Sequence, residues 1–385
     1  MKKRITTIGM MWLVTLIFTG ISCGEKRSSG SPDNEKNRPI RTAETENLLH
    51  NLKAVTEKGF MFGHQDDPLY GIGWNGDSAR SDVKSVVGDY PAVMGFDIGH
   101  IESSSERSLD NVWFARIRQE IINQYNRGGV STVSWHLNNP LTGGNSWDVE
   151  EKGVVSSILP NGDNHGKFLS WLQAVAEFFK SLETEEGVRV PVLFRPWHEH
   201  TGSWFWWGKE LCTASEYKQL WTMTHNYMAS QAVDNLLYVY SPDSQGPGDI
   251  YMERYPGDEY VDLLGFDCYH RNNEEGVEAY QYSLNSILAF ITEEGGKRNK
   301  PVALTETGLE SVPIGDWWTN VLFPVLINYP VSYVLVWRNA HDIANHYYAP
   351  YPGQVSAEDF TEFYKKPETL FCKDVPNLYD GGAEL

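Results

Sequence analysis

Short apolar runs alternate with amphipathic segments along most of the chain. Each run is a near-continuous stretch of aliphatic, β-branched and aromatic residues, as expected for a parallel strand buried on both faces. The eight runs begin at Gly59, Ala92, Val130, Val190, Asn235, Val261, Pro301 and Val331. The clearest helical patterns between them span Asn111–Tyr125, Gly166–Leu182, Ser215–Ala229 and Val277–Thr292. This alternation predicts βαβ units with right-handed crossovers.

The polar residues at the ends of these runs decide between two α/β architectures. In a doubly wound open sheet, functional groups collect at one switch point, whereas a barrel carries them around its whole C-terminal face. Here every run ends in reactive side chains, from His64 and Gln65 in the first to Trp337 and Arg338 in the eighth. The sequence therefore predicts an α/β fold with a single (β/α)8 TIM barrel.

The N-terminus has the pattern of an export signal. Lys2, Lys3 and Arg4 precede a short apolar run at residues 10–18, and small residues then lead to Cys23. This arrangement resembles a bacterial lipobox, although Gly20 stands where Leu is usual; ordinary signal cleavage nearby is the alternative. We predict an exported, membrane-anchored lipoprotein, periplasmic or cell-surface. Its predicted parts are a lipoprotein-type signal peptide (1–22), a flexible tether (23–41) and a (β/α)8 catalytic domain (42–385).

The chain is strongly acidic, with 32 Lys and Arg against 51 Asp and Glu and a formal net charge of −19. Loss of residues 1–22 removes three basic residues and no acidic ones, so the mature chain carries −22. Such a surface repels nucleic-acid phosphates and anionic polysaccharides. A neutral polysaccharide is the expected partner, nucleic acid is not, and contact with the membrane is expected only through the anchor at Cys23.

Three cysteines follow the predicted anchor: Cys212, Cys268 and Cys372. An odd number in an exported protein leaves at least one thiol unpaired within the chain. A Cys212–Cys372 disulfide is one alternative that the sequence leaves open. No two cysteines have the spacing of zinc ligands.

Two glutamates stand at the ends of predicted strands, Glu199 after the fourth and Glu306 after the seventh. Hydrolysis of a glycosidic bond with retention needs two carboxyl groups about 5–5.5 Å apart, one as proton donor and one as nucleophile. Strands four and seven project across the mouth of a barrel, so their ends can meet at one sugar. The ordinary alternative is a surface carboxylate or an ion-pair partner for Arg195 or Arg338.

The neighbours of the two glutamates suggest different roles. Glu199 precedes the aromatic run at residues 204–207, and apolar walls raise a carboxyl pKa, as a proton donor requires. Glu306 lies between Thr305 and Thr307, whose hydroxyls are expected to hydrogen-bond the carboxylate and favour its ionised form. Local sequence thus predicts Glu199 as the acid/base and Glu306 as the nucleophile.

Four segments together resemble glycoside hydrolase family 26. They are FRPWHEHTGSWFWWG from Phe194, LTETG from Leu304, SWHLNNP from Ser134 and FMFGHQDD from Phe60. The resemblance runs from about residue 60 to about residue 348. It implies a (β/α)8 fold, a retaining mechanism and predominantly β-mannanase activity, with Glu199 as acid/base and Glu306 as nucleophile. It also implies substrate-binding positions at His136, His198, Trp204, Tyr269 and Trp337.

Each of these positions has an ordinary alternative, because buried histidines and aromatic residues often serve packing. Arg195 and Asp267 are expected to form a supporting ion pair rather than to touch substrate. On the predicted strand His198 and His200 share one face and Glu199 points the other way, and the run lacks the helical HExxH spacing of a zinc protease. We expect no metal and no cofactor.

Three functions remain open from the sequence. The first is hydrolysis of β-1,4-mannan or galactomannan, either endo-acting or releasing mannobiose. The second is a family 26 activity on another β-glycan, such as β-1,3-xylan or mixed-linkage glucan. The third is a non-catalytic glycan-binding barrel, against which the presence of both glutamates argues. The loops at residues 138–148 and 338–348 are candidates for closing one end of the cleft.

Overall fold

Eight parallel strands close into a barrel. The strands are Phe60–Gln65 (β1), Val93–Asp97 (β2), Val130–Ser134 (β3), Val192–Arg195 (β4), Leu236–Tyr240 (β5), Leu263–His270 (β6), Val302–Leu309 (β7) and Tyr333–Val336 (β8). Each strand pairs with the next, and β8 returns to β1 with Tyr333 opposite Met61. The predicted (β/α)8 TIM barrel is confirmed.

The structure is a computed structural model, and it describes residues 40–382. The predicted signal peptide and all but the last two residues of the predicted tether lie outside the described residues. Arg41 is held in place, because its Nη2 donates to both carboxylate oxygens of Asp262 at 2.7 Å. Thr42 then caps the first helix by accepting a hydrogen bond from the backbone N–H of Thr45.

Helices cover the outside of the barrel and, in one case, its base. They are Ala43–Ala54 (α1), Asp82–Val87 (α2), Phe114–Asn126 (α3), Val154–Ile158 (α4), His165–Lys180 (α5), Ala214–Ser230 (α6), Asp249–Met252 (α7), Val277–Arg298 (α8), Phe323–Leu326 (α9) and Ala357–Tyr364 (α10). A π-helical turn at Trp317–Leu322 leads directly into α9. The four predicted helical segments correspond to α3, α5, α6 and α8. No helix between residues 40 and 382 is long and apolar enough to cross a membrane.

Two small β elements were not predicted. Thr369–Leu370 pairs in parallel with the start of β1, and Tyr70–Gly71 forms a short antiparallel pair with Trp74–Asn75. Gly59 permits the first contact, because a Cβ there would clash with the backbone of Glu368 and its φ of +156° suits glycine.

The barrel interior is apolar at its base and polar at its mouth. At the base, Met61, Val93, Val130 and Leu193 share one buried cluster with Leu48 and Leu52 of α1, which closes that end. A larger apolar cluster fills the space between the strands and the outer helices. The polar strand ends therefore face one another only at the C-terminal mouth, where barrel active sites lie.

The three cysteines of the folded part are all buried free thiols. The Cys212–Cys372 disulfide that the sequence left open is therefore not formed. Cys212 instead lies 3.4 Å from Nη1 of Arg254, and Cys372 lies 3.6 Å from the carbonyl oxygen of Arg127.

Candidate active site

The fourth strand is shorter than the sequence predicts. The apolar pattern predicts an extended run through Glu199, but β4 ends at Arg195 and residues 196–200 form turns. Trp197 and Glu199 both adopt positive φ, 55° and 51°. The expectation that His198 and His200 share one face of a strand is therefore wrong, because the backbone is not extended there.

Three hydrogen bonds hold this turn. The Tyr217 hydroxyl donates to the carbonyl of Trp197, and the Trp207 indole donates to the carbonyl of His198, each at 2.8 Å. The backbone N–H of Glu199 donates to the carbonyl of Ser241 at 2.8 Å. Non-glycine residues in the left-handed region cost about 1–3 kcal/mol each, and surrounding contacts must compensate for that cost. The turn is thus built to aim Glu199 over the barrel mouth.

Glu199 occupies a site that favours the protonated acid. Burial and the nearby charge of Glu306 raise its pKa to about 8. The indole N–H of Trp204 opposes this shift by donating to Oε2 of Glu199 at 2.6 Å. Gly202 makes the contact possible, because a Cβ there would clash with the folded-back Trp204 ring. At neutral pH the group is a proton donor.

Glu306 lies within β7 and is held by two donors. Arg195 Nη2 bonds to its Oε1, and the hydroxyl of Tyr269 donates to its Oε2 at 2.8 Å. Burial, followed by the charge of Glu306, raises the pKa of Tyr269 well above its ordinary value, so the hydroxyl stays a donor. These two groups leave Glu306 hydrogen-bonded as a carboxylate.

The threonines beside Glu306 do not hold it, contrary to the sequence-based expectation. Thr305 donates to Oδ1 of Asp267 at 2.6 Å, and Thr307 donates to the carbonyl of Cys268 at 2.7 Å. The reason is strand geometry, because successive side chains of a strand point to opposite faces.

The two glutamates approach each other as a double-displacement mechanism requires. Glu199, Asp267 and Glu306 each place one carboxylate oxygen within 4.8 Å of those of the other two. Retaining glycosidases hold their two carboxyl groups about 5–5.5 Å apart, whereas inverting enzymes leave about 6.5–9.5 Å for a water molecule. The geometry is of the retaining kind.

The positively charged Arg195 pairs with two acidic residues, Glu306 and Asp267. Besides Glu306, it donates to Oδ2 of Asp267 at 2.8 Å and to the hydroxyl of Ser241 at 3.0 Å. The predicted Arg195–Asp267 ion pair is therefore confirmed, and the alternative ion pair between Arg195 and Glu306 is present as well. Three converging carboxylates also resemble a metal site, but here a guanidinium already pairs with two of them.

His136 and His198 are in contact with each other and form one wall of the site. His136 Nδ1 lies 2.6 Å from Oδ2 of Asp97, and its Nε2 lies 3.1 Å from Nε2 of His198. Burial acts to lower the pKa of His136, but the Asp97 carboxylate outweighs burial and raises it. Burial and the Arg195 charge lower the pKa of His198 well below its ordinary value, so His198 is neutral. Asp97 is the last residue of β2, and the sequence gave no indication that it is the partner of His136.

Aromatic rings complete the cleft. The ring of Trp147 stacks on His136 with centroids 5.4 Å apart, and Trp337 lies edge-on to His136 at 6.2 Å. Tyr348, which the sequence reasoning missed, packs against Tyr269 at 5.7 Å. All seven sequence-predicted site residues thus converge on one mouth of the barrel. They are Glu199, Glu306, His136, His198, Trp204, Tyr269 and Trp337.

Comparison with known proteins agrees with this geometry. Residues 38–319 match the family model described as glycosyl hydrolase family 26. The chain belongs to glycosyl hydrolase family 26. The structure of a family 26 β-mannanase from Bacteroides ovatus superposes with a TM-score of 0.87 at 53% identity, covering 89% of this chain and 98% of that one.

Two curated relatives of this family 26 chain are mannan endo-1,4-β-mannosidases. One, from Bifidobacterium adolescentis, is 31% identical over an alignment of 354 residues, which covers 86% of this chain and 35% of that longer protein. The other, from Bacillus subtilis, is 31% identical over 270 residues, with 67% of this chain and 68% of that protein covered.

The contact between Trp204 and Glu199 yields a first prediction for this family 26 chain. We expect Trp204→Phe to raise the pKa of Glu199 above about 8, because the lost indole N–H stabilises only the ionised carboxylate. Carboxyl ¹³C NMR of glutamate-labelled protein, titrated from pH 5 to pH 10, measures the shift. Trp147→Phe is the matched control, since Trp147 contacts His136 instead. An unchanged or lower pKa in Trp204→Phe would contradict the assignment.

Proposed function

We propose that the chain is a retaining glycoside hydrolase that cleaves β-1,4-mannosidic bonds in mannan or galactomannan. One observation carries the proposal: two carboxyl groups within 4.8 Å of each other have opposite surroundings. Glu199 is a protonated acid near neutral pH, and Glu306 is a carboxylate held by Arg195 and Tyr269. A binding protein would need neither the proton donor nor the nucleophile.

The reaction proceeds in two displacements. Glu306 attacks the anomeric carbon while Glu199 gives its proton to the glycosidic oxygen, so the bond to the leaving sugar breaks as the glycosyl–enzyme ester forms. Glu199, now ionised, removes a proton from water, and that water attacks the same carbon and displaces Glu306. Both glutamates return to their starting states, and the product keeps the β configuration.

The remaining groups position the sugar. The Tyr269 hydroxyl and Arg195 hold Glu306 at a fixed angle, and Trp204 holds Glu199. His136 uses both ring nitrogens for Asp97 and His198, so Nδ1 of His198 is the ring nitrogen of this pair that is left to hydrogen-bond a hydroxyl of the bound sugar. Trp337 offers an apolar face beside them.

Mannan is the favoured substrate for two reasons. The relatives described above are named as mannanases, and the strongly acidic chain suits a neutral polymer. Another β-glycan, such as β-1,3-xylan or mixed-linkage glucan, is the alternative, because the two glutamates do not themselves select the sugar.

Replacement of the two glutamates tests the chemistry. We expect Glu199→Ala to lower kcat on mannan by about 10²–10⁴-fold, because proton donation is lost. Azide should restore turnover of an aryl mannobioside with a good leaving group and yield a β-azide product. Glu306→Ala should lower turnover of both substrates by about 10³-fold or more, and it should give no β-azide product, because azide entering in place of the missing carboxylate inverts the anomeric carbon. Glu293→Gln, on the exposed face of α8, is the control. Near wild-type turnover of mannan by either alanine variant would refute the assignment.

A time course of products tests the substrate and the mode of cleavage. We expect the purified protein to hydrolyse unsubstituted β-1,4-mannan, with products separated by anion-exchange chromatography from the first minutes. A spread of oligomers indicates an open cleft and endo cleavage, whereas mannobiose alone indicates a cleft closed at one end. Activity confined to another β-glycan would remove mannan as the substrate and keep the two-glutamate mechanism.

The proposal includes export and lipid anchoring at Cys23, which the basic residues 2–4 and the apolar run at 10–18 support. In a bacterial host expressing the full chain, we expect incorporation of labelled fatty acid and recovery in the membrane fraction. Both should be lost in Cys23→Ala and kept in Ser28→Ala. Exported, unlabelled wild-type protein would instead indicate ordinary signal cleavage.

A further inference from the structure

A second cavity lies beside the active site. It has a volume of about 540 Å³, within the range of about 300–1,000 Å³ typical of small-molecule sites. It is lined by residues 270–273, 309–311, 313 and 344–345. These are the loops that follow β6, β7 and β8, so the cavity opens on the same face of the barrel as the two glutamates.

One lining residue of the cavity, Arg271, contacts the tyrosine that holds Glu306. The Arg271 guanidinium lies over the Tyr269 ring at 5.0 Å, and the hydroxyl of that ring donates to Glu306. Leu309, at the cavity edge, lies three residues beyond Glu306 on β7, about 10 Å at about 3.3 Å per residue. A single sugar branching from a unit bound over Glu306 would span this distance.

The lining has the chemistry of a site for a neutral polyhydroxylated ligand. Among the described residues, the side chains of Arg271, Asn272, Asn273 and Asn345 make no hydrogen bond to one another or to the rest of the protein. They offer several free donors and acceptors around one space. The acid Glu310 is already paired with His346 at 2.8 Å, so the lining has no large excess of either charge.

The loop after β6 is fixed by a buried histidine. The Trp317 indole donates to Nδ1 of His270 at 3.0 Å, so Nε2 of a neutral His270 carries the hydrogen and donates to the carbonyl of Asn273 at 2.7 Å. Burial lowers the pKa of His270 and keeps it neutral. Asn272 and Asn273 are thereby held with positive φ, 64° and 47°.

The loops after β7 and β8 are fixed to each other. Ser311 donates through its hydroxyl to the carbonyl of Asn345 at 2.5 Å and through its N–H to the carbonyl of Tyr347 at 2.8 Å. Ser311, Val312 and Asn345 all have positive φ, which is a genuine outlier for a β-branched valine. Strained backbone of this kind concentrates where a protein presents a ligand site.

We propose that this cavity, the branch pocket, receives a galactosyl unit linked to O6 of the mannosyl residue that Glu306 attacks. The inference rests on the function proposed above. In that arrangement the histidine wall at β3 and β4 contacts the C2 side of the sugar ring. C5 is opposite C2 in a pyranose, so the C6 arm points towards β6, β7 and β8, where the pocket lies. The enzyme therefore accepts a branch at this position.

The test compares a linear manno-oligosaccharide with the same chain carrying one 6-linked galactose. We expect wild-type protein to cleave the branched chain so that galactose appears on the mannose at the new reducing end, identified by tandem mass spectrometry. The double variant Asn272→Gly/Asn345→Gly removes two side-chain amides that make no hydrogen bond. Both positions have positive φ, a backbone conformation that glycine adopts without strain. It should lower kcat/KM for the branched chain about tenfold and change the linear chain less than twofold.

Two further variants make the result unambiguous. Ala344→Trp fills the pocket and should lower kcat/KM for the branched chain at least tenfold, again sparing the linear one. Asn299→Gly is the matched control, since Asn299 is exposed, has φ of 55° and caps α8 at the other end of the barrel. Equal effects on both chains, or no product with galactose on its reducing-end mannose, would overturn the inference. Failure to cleave the linear chain would instead refute the proposed function.

Discussion

One buried guanidinium, that of Arg195, determines the charge arrangement of the whole site. Its side chain is 3% exposed and bonds to Asp267 and Glu306 together. A buried charge is tolerated only when it is paired and hydrogen-bonded, so the two carboxylates and the cation depend on one another. Glu199 lies nearby but forms no ion pair with any described residue. The same cluster thus keeps one glutamate as a paired carboxylate and the other as a protonated acid.

The different states of Glu199 and Glu306 depend on where β4 ends. Arg195 is the last residue of the strand, and its side chain points into the barrel towards β6 and β7. Glu199 follows only four residues later, yet the left-handed turn at Trp197 and Glu199 carries it away from the cation and against Trp204. In a straight strand these two side chains, four residues apart, would have pointed to the same face. The turn therefore separates Arg195, which pairs with Glu306, from Glu199, which is the proton donor.

The sequence predicted the barrel because two independent patterns agreed. Eight apolar runs specified buried parallel strands, and reactive residues at the end of every run specified a closed barrel over an open sheet. The convergence of the seven predicted site residues follows from the same topology. Their assignment to particular contacts does not, as Thr305 and Thr307 show. Both flank Glu306 in sequence, and both donate to groups of β6 instead.

The turn after β4 was beyond prediction for a related reason. Its conformation depends on donors from Tyr217 and Trp207, which follow later in the chain, and on the carbonyl of Ser241. Local sequence contains no signal for such tertiary bonds, and the apolar character of the run favoured an extended strand. Asp97 shows the same limit, because its partner His136 lies beyond the end of the next strand, β3.

Chemistry and selectivity are placed on different parts of this fold. Glu306, Arg195 and Tyr269 stand on strands whose positions the barrel fixes, and rigid elements hold reacting groups more accurately than loops do. The loops after β6, β7 and β8 are tied by hydrogen bonds from Ser311 and His270 and carry strained backbone. The sequence of these loops can therefore change, and with it the branches that fit beside the cleft, without moving Glu199 and Glu306. A barrel built in this way changes its preference for branched or linear chains independently of its mechanism.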